Sequence, residues 1–415
     1  MHIAIIGTGI AGLTCAHLLS RRHPVTVYEA EPRLGGHTHT VDVQWQGQAY
    51  AVDTGFIVYN DWTYPHFIRL LQQLGVASRP TEMSFSVHDP ATGLEYNGHN
   101  LDTLFAQRRN LLRPGFWGML RDVLRFNRQA LADLDQQRIA SDTTLGAYLH
   151  QQRYGQRFID QYIVPMGSAI WSMPRADMLA FPLQFFVRFC RNHGLLSVSQ
   201  RPQWRVIEGG SRAYLAPLCQ PFAERIRLGC PVQRVERDAQ GVQVSSAAGS
   251  ERFDKVVFAC HSDQALALLA APSDAERAIL GAIRYAANEV LLHTDQRLLP
   301  RRRKAWASWN YRLGSSPQAP AALTYNMNIL QGIEAPVTFC VSLNQSALVD
   351  PQQVLARFQY AHPQYSLAAV AAQARHAELQ GPLHSYYCGA YWANGFHEDG
   401  VLSALKVAEH FGEQL

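Results

Sequence analysis

No apolar run in this 415-residue chain approaches the ~18 uncharged residues that a membrane-spanning helix needs. Seven cysteines (Cys15, Cys190, Cys219, Cys230, Cys260, Cys340 and Cys388) are scattered, odd in number and without a CxxC spacing. That pattern argues against a disulfide frame or a zinc site and for a reducing compartment. No GxSxG elbow is present, which removes the usual sign of a serine hydrolase. The net charge of +4 is too small to imply nucleic acid. There is no internal repeat, no low-complexity tract and no signal-peptide pattern before the first apolar run, so a cytoplasmic enzyme is expected. Metal ligands are not expected either. His37 and His39 form an HxH pair, but no further ligands stand at suitable spacing.

What is present begins at once. His2–Ile6 reads as a strand buried on both faces, and Leu13–Leu19 as a helix. Between them lies Gly7-Thr8-Gly9-Ile10-Ala11-Gly12, and His23–Tyr28 forms a second strand ending at Glu29. In a strand–turn–helix–strand–acid unit, Gly7 permits the tight turn and Gly9 lets the backbone approach a pyrophosphate. Gly12 lets the helix pack close to the strand. The helix N-terminus offers free N–H groups to the phosphates, and Glu29 can accept from ribose hydroxyls. No second GxGxxG follows in strand–helix context, so NADPH is not expected to act as a direct reductant.

The stretch after the second strand separates FAD from NAD. Glu29-Ala30-Glu31-Pro32-Arg33-Leu34-Gly35-Gly36-His37 resembles the E-A-x-x-R-x-G-G stretch of the flavin-containing amine oxidase and phytoene desaturase superfamily. Val52-Asp53-Thr54-Gly55-Phe56 resembles its D-x-G segment near the flavin. Gly389, followed by Gly395–Ala404 with Asp399, Gly400 and Val401, resembles its closing flavin motif. Within the superfamily the chain is similar to a bacterial group of predicted NAD/FAD-binding oxidoreductases. That group's pattern includes Ala169-Ile170-Trp171-Ser172 and Asn192-His193-Gly194. The resemblance implies non-covalent FAD, with Arg33 on the cofactor phosphate, Gly35 and Gly36 passing against the cofactor, and Gly55 leaving room for it. It also implies the backbone near Val232 at the adenine and the last helix N-terminus at the ring. Two positions depart from the pattern: His37 stands where the family often has Arg, and Gly389-Ala390 where it often has Gly-Glu. Lysine is scarce, and none can be placed beside the flavin, where amine oxidases carry one; Lys304 sits in an arginine run.

The expected fold is α/β: a discontinuous Rossmann-type FAD-binding domain (1–80, 201–285 and 382–415) with a second, mixed α+β substrate domain (81–200 and 286–381). Residues 81–200 read as helical, broken at Pro114, Pro165, Pro174 and Pro182. The expected chemistry is transfer of a hydride equivalent from a substrate C–H to flavin, so no catalytic triad need be visible and catalytic side chains are left unassigned. An apolar, lipid-like small molecule is the favoured substrate, for a desaturase- or isomerase-like enzyme. The alternatives are an amine oxidase releasing peroxide and a flavin-binding protein without turnover. Trp171, Tyr391 and Trp392 are the pocket candidates because they lie beside motif segments.

Residues 101–130 hold six arginines among Phe105, Phe116, Trp117, Leu120 and other apolar residues. The 105–128 stretch therefore reads in two ways: as a peripheral contact at the inner membrane face, or as a helix packing its apolar face on the second domain.

Overall fold

The computed structural model describes every residue of the chain except 315 and 317. Ile3–Ile6 and Val25–Tyr28 are buried at every position, the signature of strands covered on both faces. They lie in a five-stranded, all-parallel sheet ordered Ile226–Arg227, Val25–Tyr28, Ile3–Ile6, Lys255–Phe258, Ser385–Tyr387. Three distant stretches of sequence thus supply one sheet. The first helix, Ile10–Leu19, and the last, His397–Glu409, pack together on one face. They share a core of Leu13, Leu18, Val401 and Val407 with sheet residues Ile3 and Ile5. A three-stranded antiparallel sheet (Val232–Asp238, Gly241–Ser246, Gly249–Phe253) covers the other face, where Val235, Val244 and Phe253 pack with Ile6, Tyr28 and Phe258.

A second, seven-stranded sheet is ordered Val354–Gln364, Arg284–His293, Cys340–Leu343, Ala322–Asn326, Trp309–Arg312, Phe85–Asp89, Leu94–Asn97. It is antiparallel apart from the pairing of Phe85–Asp89 with Trp309–Arg312. The last two strands correct the all-helical reading of 81–200. Ser86, His88, Asp89 and Glu95 are buried, so the polar residues that hid these strands are inside. Ser86 Oγ donates to Asn310, and Glu95 accepts from the backbone of Arg301 and Arg302. The prolines start helices more than they break them. Pro114 opens the long helix Pro114–Asp135, Pro165 lies in the first turn of Val164–Trp171, and Pro182 caps Leu183–Asn192. The long helix buries Phe116, Met119, Phe126 and Ala130 at helical spacing, against Phe158 and Phe186 of neighbouring helices.

One buried ion pair ties the parallel sheet to its flanking layer. Glu276 accepts from Arg237, Tyr387 and the backbone of Ser273. Burial alone would push this carboxyl up, but these donors override it and hold it down at about 2, against 4.5 for the free group. Ionised Glu276 therefore stabilises the fold fully above pH 4.5, and that contribution is lost as pH falls toward 2. Glu276→Gln should cost about 3 kcal/mol at neutral pH, with the gap to wild type closing below pH 4.5. Denaturant melts of both proteins across that range check it. A gap that does not change with pH would contradict the assignment.

Candidate functional site

The parallel strands end at their carboxyl edge in the glycine turn. Gly7 has φ +109°, and an added Cβ would lie 2.9 Å from the Ala259 carbonyl. A Cβ on Gly12 would lie 2.1 Å from the Gly7 carbonyl, so Gly12 is what lets the helix start directly against the turn. Gly9 is different: an added Cβ meets nothing within 4 Å. It opens onto free space at the N-terminus of the first helix, which has no side-chain cap and no acid in its first turn. The N–H groups of Ile10 and Ala11 are therefore free to receive an anion.

A second loop closes over this point. Gly35 and Gly36 both have positive φ, and the Gly36 Cβ position lies 3.1 Å from Gly9 Cα. Arg33 braces the loop by donating to the Gly36 carbonyl at 2.8 Å, which keeps its guanidinium beside the turn. Ala30 begins the exposed stretch that leads into it. Glu29 Oε2 accepts from Thr8 N (3.0 Å) and Thr8 Oγ1, and Oε1 from Glu31 N (2.9 Å). The carboxylate is thus oriented by the turn and has no basic partner among the described residues. Val232, expected at the adenine, is partly buried against the core beside Cys230, whose N–H donates to the Glu29 carbonyl at 2.8 Å.

His37 follows the glycine pair. Its ring lies 5.3 Å from Tyr360, 5.5 Å from His362 and 6.1 Å from His261, measured between centroids. Its Nε2 is shielded from solvent and has no partner among the described residues. Burial, then the charges of His261 and Arg33, push His37 down to about 4, so the ring is neutral at physiological pH. No group of His, Cys, Asp or Glu among the described residues could hold a metal.

The Asp53-Thr54-Gly55-Phe56 turn lies against this loop, and the chain itself requires its glycine. A Cβ on Gly55 would meet the His37 carbonyl at 2.1 Å, so the close approach is to the chain itself. Asp53 accepts from Thr40 Oγ1, from Ser211 N and Oγ, and from Gln331 Nε2, which ties three segments together. Burial pushes its carboxyl up to about 6 against those bonds. Thr54 meets Tyr360 Oη at 2.9 Å, and Phe56 stacks on His397 at 3.5 Å. Gly55→Ala should therefore displace the His37 loop and weaken FAD binding about tenfold. A flavin titration of the variant measures this. Unaltered affinity would show that the loop's position does not matter.

The closing motif is also used largely by the protein. Asp399 caps its own helix, accepting from Phe396 N (2.9 Å) and Asn394 N (3.2 Å). Burial pushes it up to about 6. Gly400 is required by packing, because a Cβ there would lie 2.6 Å from Ile10 Cγ2. The Val401 side chain is sealed in the core. None of the three offers a free side chain to a ligand; what the segment presents is backbone at a helix N-terminus. Gly389 is pressed against the Tyr391 ring, and its N–H donates to Ser403. Glu398 accepts from the backbone N–H of His66 and Phe67, capping the helix Pro65–Gln73. Cys388 is fully buried, so no thiol from it reaches a ligand.

A cavity of about 180 Å³ lies between the seven-stranded sheet, the paired strands Val58–Asn60 and Trp204–Ile207, and the helices Val164–Trp171 and Leu183–Asn192. Its walls include Val58, Tyr64, Phe85, Met166, Ile170, Phe189, Trp309 and Phe396, with His99, His193 and Arg201 as its basic groups. None of its described lining residues is Asp, Glu or Lys. Trp171, Tyr391 and Trp392, the pocket candidates of the sequence, are not among its described lining residues. Trp171 is packed on Phe181 and Phe189, Tyr391 lies under Gly389, and Trp392 sits against His376. The motif segments carrying Ile170 and His193 did point here, one residue away in the first case. His193 is pushed down to about 4 by burial, against its bond to the Phe189 carbonyl. Nδ1 donates in that bond at 3.0 Å, which leaves Nε2 of a neutral ring as an acceptor.

The open position at Gly9, the uncapped helix, the braced glycine loop and the orphaned His37 Nε2 together fit a dinucleotide such as FAD. Comparison with known proteins agrees. The family model for flavin containing amine oxidoreductase matches residues 10–326. "Putative flavin-containing monoamine oxidase AofH" of Mycobacterium tuberculosis is 24% identical over 270 residues, covering 62% of this chain and 56% of that protein. The match thus spans little more than half of the relative's length. Cyclohexylamine oxidase from Brevibacterium oxydans superposes with a TM-score of 0.69 at 16% identity, covering 99% of both chains. The CLA-producing fatty acid isomerase from P. acnes superposes with a TM-score of 0.70 at 14% identity, covering 99% of this chain and 98% of the other. At these identities the likeness is one of fold.

Proposed function

Since the chain belongs to the family of flavin-containing amine oxidoreductases, we propose that it is a flavin-dependent oxidoreductase acting on an apolar, lipid-like substrate with an anionic end. FAD is its cofactor and, when bound, supplies the acceptor for a hydride equivalent. The Gly7–Gly12 turn, Glu29, Arg33 and the Gly35–His37 loop hold it, with the Asp53–Phe56 turn and the start of the last helix supporting the ring end. Residues 1–80, 201–285 and 382–415 form the FAD-binding part, and 81–200 and 286–381 the substrate part.

The observation that carries the substrate class is the lining of the cavity. Its walls are hydrocarbon and aromatic, its one permanently charged group is Arg201, and no carboxylate faces an incoming ammonium. An acyl chain would bury apolar surface there at roughly 25 cal/mol per Å². Arg201, exposed at the rim, would pair with its acidic end. His193 lines the cavity, and its free Nε2 would accept the proton lost from the carbon next to the one that gives up a hydride equivalent, as desaturation requires. The family's name favours amine oxidation as a second reading. The absence of lysine and of any acid from the described lining speaks against it.

The test is a spectral titration of the FAD-loaded enzyme with a long-chain unsaturated acid, the corresponding alcohol and an alkylamine. The acid should bind best, and Arg201→Gln should weaken the acid about tenfold while leaving the alcohol unchanged. Tighter binding of the amine would overturn the reading.

A further inference from the structure

We propose that the outward face of residues 101–128, together with the run Arg301–Lys304, docks this protein on an anionic phospholipid surface beside the mouth of the apolar cavity. The proposal deepens the apolar-substrate reading, and it is tested separately from it.

The long helix Pro114–Asp135 has two apolar faces of different kinds. Phe116, named in the sequence reading as part of a membrane face, is buried in the core with Met119 and Phe126. Trp117 and Leu124 point the other way and are 49% and 57% exposed. They alternate with exposed Arg121 and Arg128, so positions 117, 121, 124 and 128 form one stripe along the helix. The preceding turn adds Leu112, 87% exposed, and Leu111; Leu101 is 75% exposed. Trp117 is held in this position, because its Nε1 donates to the Leu111 carbonyl at 2.9 Å and its ring lies 5.4 Å from Phe105.

The charges complement an acidic surface. Among the described residues Arg121 and Arg128 have no ion pair or hydrogen-bond partner, whereas Arg125 pairs with Asp122 and lies over Tyr154. A second basic strip is fixed alongside. Glu95 accepts from the backbone of Arg301 and Arg302, and Lys304 Nζ lies 2.9 Å from Asp102, the residue next to Leu101. All four residues of that strip are exposed, and Asp102 is the one exposed acid on the two segments.

The patch is continuous in sequence with the cavity. His99 and Arg201 are exposed and line it, so they mark its mouth. Leu101 follows His99 by two residues. Val198, 70% exposed, precedes Arg201, whose Nε donates to the Ser197 carbonyl. Exposed Leu and Trp gain nothing from a nucleic acid backbone, whereas at a bilayer they enter the headgroup boundary while the arginines meet anionic lipid. An acyl substrate would then pass from the bilayer to the cavity without crossing water.

The full FAD-loaded protein is floated with vesicles of phosphatidylcholine alone and of equal parts phosphatidylcholine and phosphatidylglycerol, at low and high salt. Binding to the mixed vesicles should exceed that to neutral ones at least about tenfold and fall at high salt. Arg121→Glu/Arg128→Glu and Leu112→Ser/Trp117→Ser should each lose at least about tenfold, with the flavin spectrum and melting temperature unchanged. No flotation with vesicles in any condition would overturn the proposal, as would variants that bind like wild type. So would a patch that instead holds two copies together, or that binds only RNA. Flavin reduction by a detergent-dispersed acyl substrate reports on the cavity alone. The patch variants should keep it, so failure of docking and failure of the substrate assignment are told apart.

Discussion

Gly9→Val should give a folded protein that binds FAD at least about 100-fold more weakly than wild type. At φ −63° and ψ 172° the backbone at Gly9 suits any residue, and nothing lies within 4 Å of the position a Cβ would take. The chain alone therefore does not require glycine there. The requirement comes from what occupies the space in front of the first helix, and valine would fill that space. Gly12→Val is the contrasting case. Its side chain would collide with the Gly7 carbonyl, so that variant should lose stability whether or not FAD is present. The flavin-to-protein absorbance ratio and the thermal unfolding of both variants separate the two effects. A Gly9→Val protein with full flavin occupancy would refute the placement of the pyrophosphate.

Ile170→Glu should abolish turnover of apolar substrates, lowering kcat/KM at least about 100-fold, while the flavin stays bound. Ile170 lines the cavity and packs against the helical core, and no described cation of the wall other than Arg201 carries permanent charge. A carboxylate there would either stay ionised and repel hydrocarbon and acid alike or take up a proton to avoid desolvation. The same change would supply the acid that an ammonium needs, so weak amine binding should appear. Steady-state rates with an acyl acid and an alkylamine, alongside the flavin spectrum, decide it. Undiminished turnover of the acyl acid would mean that the substrate lies elsewhere.

The two ends of the chain were legible because their signals are local. Gly7, Gly9, Gly12 and Glu29 sit within one strand–helix–strand unit, where spacing alone sets which atoms can meet. The resemblance puts the Asp53 turn near the flavin and says nothing of its contact with the chain: Gly55 answers to the His37 carbonyl, a contact between residues eighteen apart that no spacing rule announces. The cavity was not legible at all as a unit. Val58, Phe85, Ile170, His193, Trp309 and Phe396 come from six separate elements or loops, and only the fold gathers them. Adjacent residues of a helix face about 100° apart, so nearness to a motif does not decide whether Ile170 or Trp171 turns to this cavity. The same one-residue difference separates buried Phe116 from exposed Trp117. The strands Phe85–Asp89 and Leu94–Asn97 were read as helix because their inward polar residues satisfy one another across the sheet, which breaks the apolar alternation.

On the reading proposed above, this flavoenzyme removes a hydride equivalent from the hydrocarbon part of its substrate. The most direct test of that reading is rapid anaerobic mixing of the FAD-loaded protein with a long-chain unsaturated acid and, in parallel, with cyclohexylamine, following the flavin absorbance. The acid should bleach the flavin, transiently for an isomerase and lastingly for a desaturase, more slowly when the reacting C–H is deuterated, and the amine should not. Rapid bleaching by cyclohexylamine with the acid inert would contradict it.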